Sequence, residues 1–568
     1  MTLAVGADPL GGAGAFARLR DARWAPVAAA VAVSAALQLV WVHFLATSGG
    51  DLAAQDAWAE FAHAHPGSAY DLAWYGGMHP ASYSAISPFV MAGLGVRTTM
   101  MLATTTAAAL LAWLLTLRTA RGGSRFVPVV VGAAALMGNA VSGRVTFALG
   151  TTVALAAVCM VVVRPGGMPR LARGCLVAAL AATATACSPV AGLFLGVVAA
   201  ALWLGGRRPA AYAVGVPAVL VVAASAFLFP FSGQQPMSWR AAVLPAAMAV
   251  AVVLLAPRGW RELRTGSAVY LLMVVLVWLV PTPIGTNVTR LGLLFGGVTL
   301  VLVALRGRWR SSVVAQRLGA PVAAVLLGVA LTTSAAWQVS IAAHDAVHSR
   351  PATSLDSDVA PLVSVLRAGG AGLGRVEVVP TRSHREAAAL APYVALARGW
   401  NRQADVDRNQ VFYEHGALTA TTYRTWLHRW AVRYVVVATT SQPDYGAAGE
   451  SRLVSGGLDY LEQVWSDPSW TVYAVRHPAP LVRPAAAVSA FDSDELTVAV
   501  PAAGHYVVKV ETSPWLTVTG AACLTDLDTV HPGRSTRGDN WVVLQAPSAG
   551  TYRIAAPYQV PRGTRCAG

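Results

Sequence analysis

Asp51, Asp56, Glu60 and Asp71 fall in one stretch, GGDLAAQDAWAEFAHAHPGSAYDLAWYGGMHP (Gly49–Pro80), with His63, His65, His79 and five aromatic residues. The first 344 residues contain only three other acidic residues, Asp8, Asp21 and Glu262. A positioned carboxylate can take a proton from a hydroxyl. Asp51 suits that role best, because it follows an apolar run (24–47) by four residues and so sits at the outer membrane surface. A substrate dissolved in lipid would be within its reach. Asp56 is the second candidate, in DAWAEFAHAH, which reads as a short amphipathic helix lying on the membrane. Trp58, Trp74 and Tyr75 offer flat faces on which sugars dock. The competing explanation is plain: outer loops are polar, Trp and Tyr favour the interface, and Asp caps helices. Glu60 and Asp71 fit that explanation better. The HxH of His63 and His65, with His79, could hold a metal, although spacing identifies no further ligand.

The elements that must position these residues are helices in a membrane. The chain has 568 residues, of which 55% are hydrophobic and 12% charged, and a mean hydropathy of +0.53. A soluble protein is about one-quarter charged. Apolar runs at 24–47, 97–117, 126–142, 145–163, 171–187, 190–204, 210–230, 240–256, 267–281, 290–305 and 319–341 predict about eleven transmembrane helices. Several are shorter than the ~20 residues that a spanning helix needs. With the N-terminus cytoplasmic, alternation puts 18 of the 22 arginines of residues 1–344 on inner ends, from Arg18, Arg20 and Arg23 through Arg118, Arg121 and Arg164 to Arg317. That distribution is the positive-inside bias. Arg97, Arg144, Arg240 and Arg290 remain on outer ends. The first run is too long for a signal-peptide core, and more helices follow it. The net charge of +15 belongs wholly to this part, since residues 345–568 balance 20 basic against 20 acidic residues. It therefore speaks for membrane orientation and against nucleic-acid binding.

An odd helix count puts the acidic loop (48–96), Asn287 with Arg290, and everything after residue 343 on the extracytoplasmic face. The tail reads as an α/β domain over 344–480 and a β-sandwich over 481–568. RVEVVP (375–380), VRYVVVAT (432–439) and WTVYAV (470–475) are predicted strands, and YRTWLHRWA (423–431) a helix. ELTVAV, GHYVVKVE, WLTVTG, NWVVLQA and TYRIAA alternate like sandwich strands. Cys523 and Cys566 share an oxidising compartment there and are expected to pair. Cys159, Cys175 and Cys187 lie in or beside apolar runs, as small hydrophobes do.

Outer arginines depart from the orientation rule, and a guanidinium suits phosphate through paired, charge-assisted hydrogen bonds. Arg144 in GNAVSGRVTFALG and Arg290 in PTPIGTNVTRLG are the two such candidates, and snorkelling is the alternative. Asn287-Val-Thr also matches a glycosylation acceptor triplet. An early Asp after the first helix, a long outer loop, a helical bundle and an outer C-terminal domain resemble the GT-C-fold membrane glycosyltransferases. The stretches GGDLAAQDAW, YDLAWYGGMHPASYS, GNAVSGRVTFALG, SPVAGLFLG, PTPIGTNVTRLG, RSHREAA and ARGWNRQAD carry the resemblance. Among these enzymes it is similar to the actinobacterial cell-envelope group, of arabinofuranosyltransferase or mannosyltransferase type. The resemblance implies a plasma-membrane enzyme that moves a sugar from a polyprenyl-phosphate donor to a cell-envelope glycan or glycolipid acceptor, with inversion. Asp51 would be the catalytic base, and Asp56, Trp74, Tyr75, His79, Arg144, Asn287 and Arg290 would bind substrate. It establishes no cofactor and leaves room for a divalent metal. Two rivals are a secondary transporter and a non-catalytic sugar-binding membrane protein. No acidic residue lies mid-span and the halves are unlike, which weighs against the transporter.

The topology has a direct test. A single cysteine at Ser48 or Gly449 is expected to react with an impermeant reagent outside intact cells, and one at Arg121 is not. Labelling of Gly449 only after lysis would mean an even helix count.

Overall fold

The computed structural model describes residues 24–117, 124–163, 167–350, 359–483, 485–530 and 539–566. Arg18, Arg20, Arg23, Arg118, Arg121 and Arg164 lie outside the described residues. Every apolar run is a helix. The first is α1 (Ala25–Phe44), and it is followed by α2 (Asp51–Ala64), which belongs to the acidic loop. The other runs are α3 (Val96–Leu117), α4 (Phe126–Val141), α5 (Val145–Val162), α6 (Arg170–Cys187), α7 (Pro189–Leu204), α8 (Arg208–Leu228), α9 (Trp239–Leu255), α10 (Arg261–Leu279), α11 (Gly285–Leu305) and α12 (Ala320–His348). By length and composition eight of these can cross a membrane: α1, α3, α5, α6, α8, α10, α11 and α12. The apolar helices α4, α7 and α9 have 16, 16 and 17 residues. At 29 residues, α12 is ~44 Å long, more than the ~30 Å that crossing a hydrocarbon layer requires.

The helix ends that alternation groups together do meet at one pole, and the tail sits on them. The Gly50 amide donates to Ser383 O, the Ser84 hydroxyl to Cys187 O, Gln403 Nε2 to Pro283 O and Trp515 Nε1 to Leu228 O. At the opposite pole Arg207 pairs with Glu262 at 3.3 Å and donates to Val161 O. The Arg264 side chain there donates to Val253 O, which caps a carbonyl left over at the end of α9.

The tail has two sheet regions. The first holds the helices α13 (Ala360–Ala368), α14 (Arg385–Leu390), α15 (Arg402–Arg408), α16 (Ala420–Arg429) and α17 (Ala448–Ser455). They accompany strands β1 (Arg375–Val378), β2 (Val432–Ala438), β3 (Leu461–Ser466) and β4 (Trp470–Val475), in the order β1-β2-β4-β3. β1 runs parallel to β2, and the other pairs are antiparallel. The second region is a sandwich of β5 (Ala487–Phe491), β6 (Glu495–Val500), β7 (Gly504–Glu511), β8 (Thr517–Val518), β9 (Cys523–Asp526), β10 (Trp541–Ala546) and β11 (Gly550–Ala555). One sheet orders β7-β10-β9 and the other β5-β6-β11-β8. The predicted strands are present. β3, β5 and β9 are additional, and WLTVTG shortens to the two-residue β8.

The acidic loop differs most from its expectation. Its helix α2 presents no broad free polar face but is packed on two sides. Leu52 and Ala59 of α2 pack with Trp41, Met100 and Met137 of the bundle, while Ala53, Ala57 and Trp58 join the core of the α/β domain. Beyond α2 the chain wedges between the two tail cores. Trp74 and Tyr75 enter the α/β core, and Ala69, Tyr70 and Leu72 enter the sandwich core. Gly77 takes a φ of +125°, and a Cβ there would come within 2.2 Å of the Tyr70 ring. Only glycine tolerates both conditions.

The disulfide Cys523–Cys566 is present, with a sequence separation of 43. It holds the C-terminal segment beside β9, where the Cys566 amide donates to Leu524 O. Replacing both cysteines by serine should destabilise the sandwich by ~3–4 kcal/mol, the chain-entropy value for a loop of this size. Denaturant unfolding of the two proteins measures this. Two free thiols in the non-reduced protein would overturn the pairing.

Candidate functional site

Where the tail meets the helix ends there is a polar cleft of about 620 Å³. Asp51 opens α2 on its floor. Gly50, at φ +63°, serves as the helix cap, so Asp51 does not cap the helix and its carboxylate is free to point outward. Arg144, just before α5, donates from Nε to Asp51 Oδ2 at 3.2 Å. Its Nη2 lies 3.6 Å from Asp345 Oδ2, which also accepts from the Ser142 hydroxyl at 2.6 Å. Two carboxylates therefore share one guanidinium, and the Asp51 side chain remains 36% exposed. A carboxylate held by a single charged partner and still open to solvent can accept a proton from a bound hydroxyl.

The opposite wall comes from the α/β domain. His384 stacks on Trp400 with centroids 3.5 Å apart. Burial pulls the His384 imidazole below its ordinary value, against the opposing pull of Asp444, and so favours the uncharged ring. Burial also works against an ionised Asp444. Hydrogen bonds from His384 and Arg402 outweigh it and hold that carboxyl well below the usual range. Tyr445, 73% exposed, stands in the cleft with Arg402 4.7 Å from its ring centroid. Trp400 Nε1 donates to Gly50 O at 2.8 Å, which ties this wall to the start of α2.

A second cavity, of about 870 Å³, is an apolar groove along α7 and α8. Its walls are Leu193, Gly196, Ala199, Val219, Leu220 and their neighbours, and its upper rim carries Ser82, Tyr83, Asn287, Asn401 and Gln403. Val219 and Leu220 are over 60% exposed, so the groove is open along its side. The segment Trp400–Gln403 divides the two cavities: Trp400 and Arg402 line the cleft, and Asn401 and Gln403 line the groove. Arg290 of α11 is 93% buried, with its guanidinium 5.1 Å from the Phe147 ring centroid. Its Nη1 has no hydrogen-bond partner. Its electrostatic neighbours are Arg144 and Asp51 of the cleft and Tyr83 of the groove rim. A buried guanidinium with an unfilled donor is costly and is a natural anion receptor.

Other residues singled out in the sequence are placed elsewhere. Asp56 pairs with Arg97 and lies 3.9 Å from Arg385, which joins α2 to α3 and α14 away from the cleft. Trp74 and Tyr75 are fully buried and present no face for stacking. Trp74 Nε1 donates to Ala387 O, and the Tyr75 hydroxyl to Gly399 O. Burial pulls His79 down to about 4. Its Nδ1–H donates to Ala69 O, and its Nε2 accepts from the Ser513 hydroxyl. His63 is exposed, and among the described residues His63, His65 and His79 do not group as ligands of one ion.

Asp345 escaped the sequence reading because it follows the last apolar run and looked like the first residues of the tail. The signal was HDAVH (344–348), one helical turn of ionisable residues on α12, where the His344 and His348 rings stack 3.9 Å apart. Asp444 and Tyr445 gave no signal beyond a turn, since only the fold carries them to the cleft.

Glu386 lies behind the cleft wall and accepts from the Thr381 amide at 3.0 Å and from its hydroxyl. Burial pushes it up to about 7. The folded chain therefore keeps this proton after the unfolded chain has released it. The resulting stability is full below the ordinary glutamate value and is lost as pH rises through about 7. Glu386→Gln should gain on the wild type by at most ~3 kcal/mol between about pH 5 and about pH 8. Denaturant curves at both pH values read this out, and a constant offset between the two proteins would refute it.

A family model described as a domain of unknown function (DUF8823) matches residues 518–568, the part of the sandwich that contains β9, β10, β11 and the disulfide. No curated protein matches the chain.

Proposed function

We propose that the protein is a membrane glycosyltransferase that takes a sugar from a polyprenyl-phosphate donor and passes it to a cell-envelope glycan, with the cleft on the extracytoplasmic face. In this reading all eleven apolar helices cross the plasma membrane, including the short α4, α7 and α9, whose polar flanks lie in the interface. The observation that carries the reading is the adjacency of an open apolar groove and a polar cleft, with Arg290 buried behind their walls, beside Arg144 and Asp51 of the cleft and Tyr83 of the groove rim, and one of its donors unfilled. A polyprenyl phosphate has the same division, with a long apolar chain, one anion and a sugar beyond it.

The chain lies in the groove along α7 and α8, with Asn287 at the rim. Its phosphate meets Arg290 and Arg144, and the sugar enters the cleft. Asp51 takes the proton from the acceptor hydroxyl as the oxygen attacks the anomeric carbon from the face opposite the phosphate. The carbon–oxygen bond to phosphate breaks, the configuration inverts, and the guanidinium groups stabilise the charge that grows on the leaving group. Tyr445 provides the stacking face for the acceptor glycan, the part expected of Trp74 and Tyr75. Asp345 shares Arg144 with Asp51 and keeps that guanidinium oriented.

Transfer from labelled polyprenyl-phosphate sugars in membranes tests the roles separately. Asp51→Asn should lower turnover 10²- to 10⁴-fold, the range of general-base catalysis, with donor binding intact. Arg290→Ala should weaken donor binding as well as turnover. Gly196 has open space where a Cβ would be, so Gly196→Leu should narrow the groove and raise KM for long-chain donors alone. Tyr445→Ala should raise KM for the acceptor. Near-normal transfer by Asp51→Asn would sink this assignment.

A further inference from the structure

His65 does not meet His63 or His79. It meets the β5–β6 turn of the sandwich, Asp492-Ser493-Asp494. His65 Nδ1 is 3.2 Å from Asp494 Oδ1, and the Ser493 hydroxyl lies 2.9 Å from His65 Nε2. One ligand atom each from His65, Asp492 and Asp494 falls within 4.8 Å of the others. A tetrahedral ion with bonds of ~2.0–2.2 Å needs its ligand atoms little more than 3 Å apart, and the His65–Asp494 pair is already at that spacing.

A second observation concerns Asp71. It is 95% buried, and its carboxylate makes one hydrogen bond, from the Ala73 amide to Oδ1. Among the described residues the only charged side chain acting on it is another carboxylate, Asp494. The Leu72 amide donates to Ser493 O at 2.6 Å, which holds Asp71 beside the turn. Asp492 and Asp494 thus flank one imidazole with Asp71 beside the same turn, and among the described residues no Arg or Lys pairs with any of the three carboxylates. Such a cluster is short of positive charge, and burying a carboxylate there without a cation is costly.

We propose that His65, Asp492 and Asp494 bind a divalent cation of the zinc class, with Asp71 as the buried carboxylate behind them. An imidazole with carboxylates suits zinc better than calcium, which takes six to eight oxygens. The ion clamps the C-terminal end of α2 to the sandwich. Because α2 carries Asp51 at its other end, the clamp stiffens the element that bears the cleft carboxylate. This site stands apart from the glycosyltransferase reading and survives its failure.

The test uses the full chain in detergent, stripped with chelator and titrated with Zn(II) by calorimetry. His65→Gln and the double variant Asp492→Asn/Asp494→Asn are run beside it. The wild type should bind one more Zn(II) per chain than either variant. Zn(II) should also slow amide exchange of residues 65–72 in the wild type alone. Equal stoichiometry in the wild type and His65→Gln would overturn the site, as would Ca(II) displacing Zn(II) at equal concentration. If the double variant misfolds, His65→Gln decides the question, because Gln keeps a polar side chain of similar reach beside Ser493 and the ring it replaces is only partly buried.

Discussion

Trp74 and Tyr75 fill the space where the α/β domain closes over the first outer loop, and the placement of every cleft residue depends on that burial. Two large rings at zero exposure supply apolar contact of several kcal/mol, but they are admitted only because their polar atoms are satisfied. Trp74 donates to Ala387 O and Tyr75 to Gly399 O, and Arg408 Nη1 donates to Tyr75 O at 2.8 Å and to Gly77 O at 3.2 Å. On the other side the Glu511 amide donates to Gly76 O, which fastens the same turn to β7. A Cβ on Gly399 would come within 2.3 Å of Trp74, so the segment leading to Trp400 and Arg402 lies directly on the ring. The loop is therefore a shared core segment of both tail domains, and it fixes Asp51 relative to His384 and Arg402.

Charge within the cleft follows from the same geometry. The bundle contributes few carboxylates, and the two that reach the cleft, Asp51 and Asp345, converge on Arg144. The α/β wall is balanced internally, with Asp444 satisfied by Arg402 and faced by His384, whose charging burial opposes. The unbalanced group is Arg290, which is buried against Phe147 with a donor unfilled. A cation left with an unfilled donor beside a polar cleft and an apolar groove favours an anionic, amphipathic ligand over a neutral sugar alone. That asymmetry supports the proposed lipid-phosphate donor.

Length contributes as well. α12 is longer than a spanning helix needs to be, and its last turns carry His344, Asp345 and His348 to the cleft below the tail. A shorter helix would leave Arg144 with one carboxylate instead of two. The bundle and the tail are thus joined by a rigid element as well as by the wedge loop.

The sequence by itself determined the helices, their grouping into two poles, most of the strands and the pairing of Cys523 with Cys566. These are properties of composition and period: apolar runs must be satisfied internally by helical hydrogen bonds in lipid, arginines mark one side, and alternating residues make half-buried strands. It also singled out Asp51, Arg144 and Arg290, because a charge in an apolar context is conspicuous. Only the tertiary structure decided which loop residues face a cavity. Trp74, Tyr75 and His79 looked like ligand-binding side chains but are core, since polar and aromatic residues in a loop read the same whether they meet solvent or another domain. Asp345, Asp444 and Tyr445 come from segments about 100 residues apart. Their convergence is a matter of packing between distant elements, which no local period encodes.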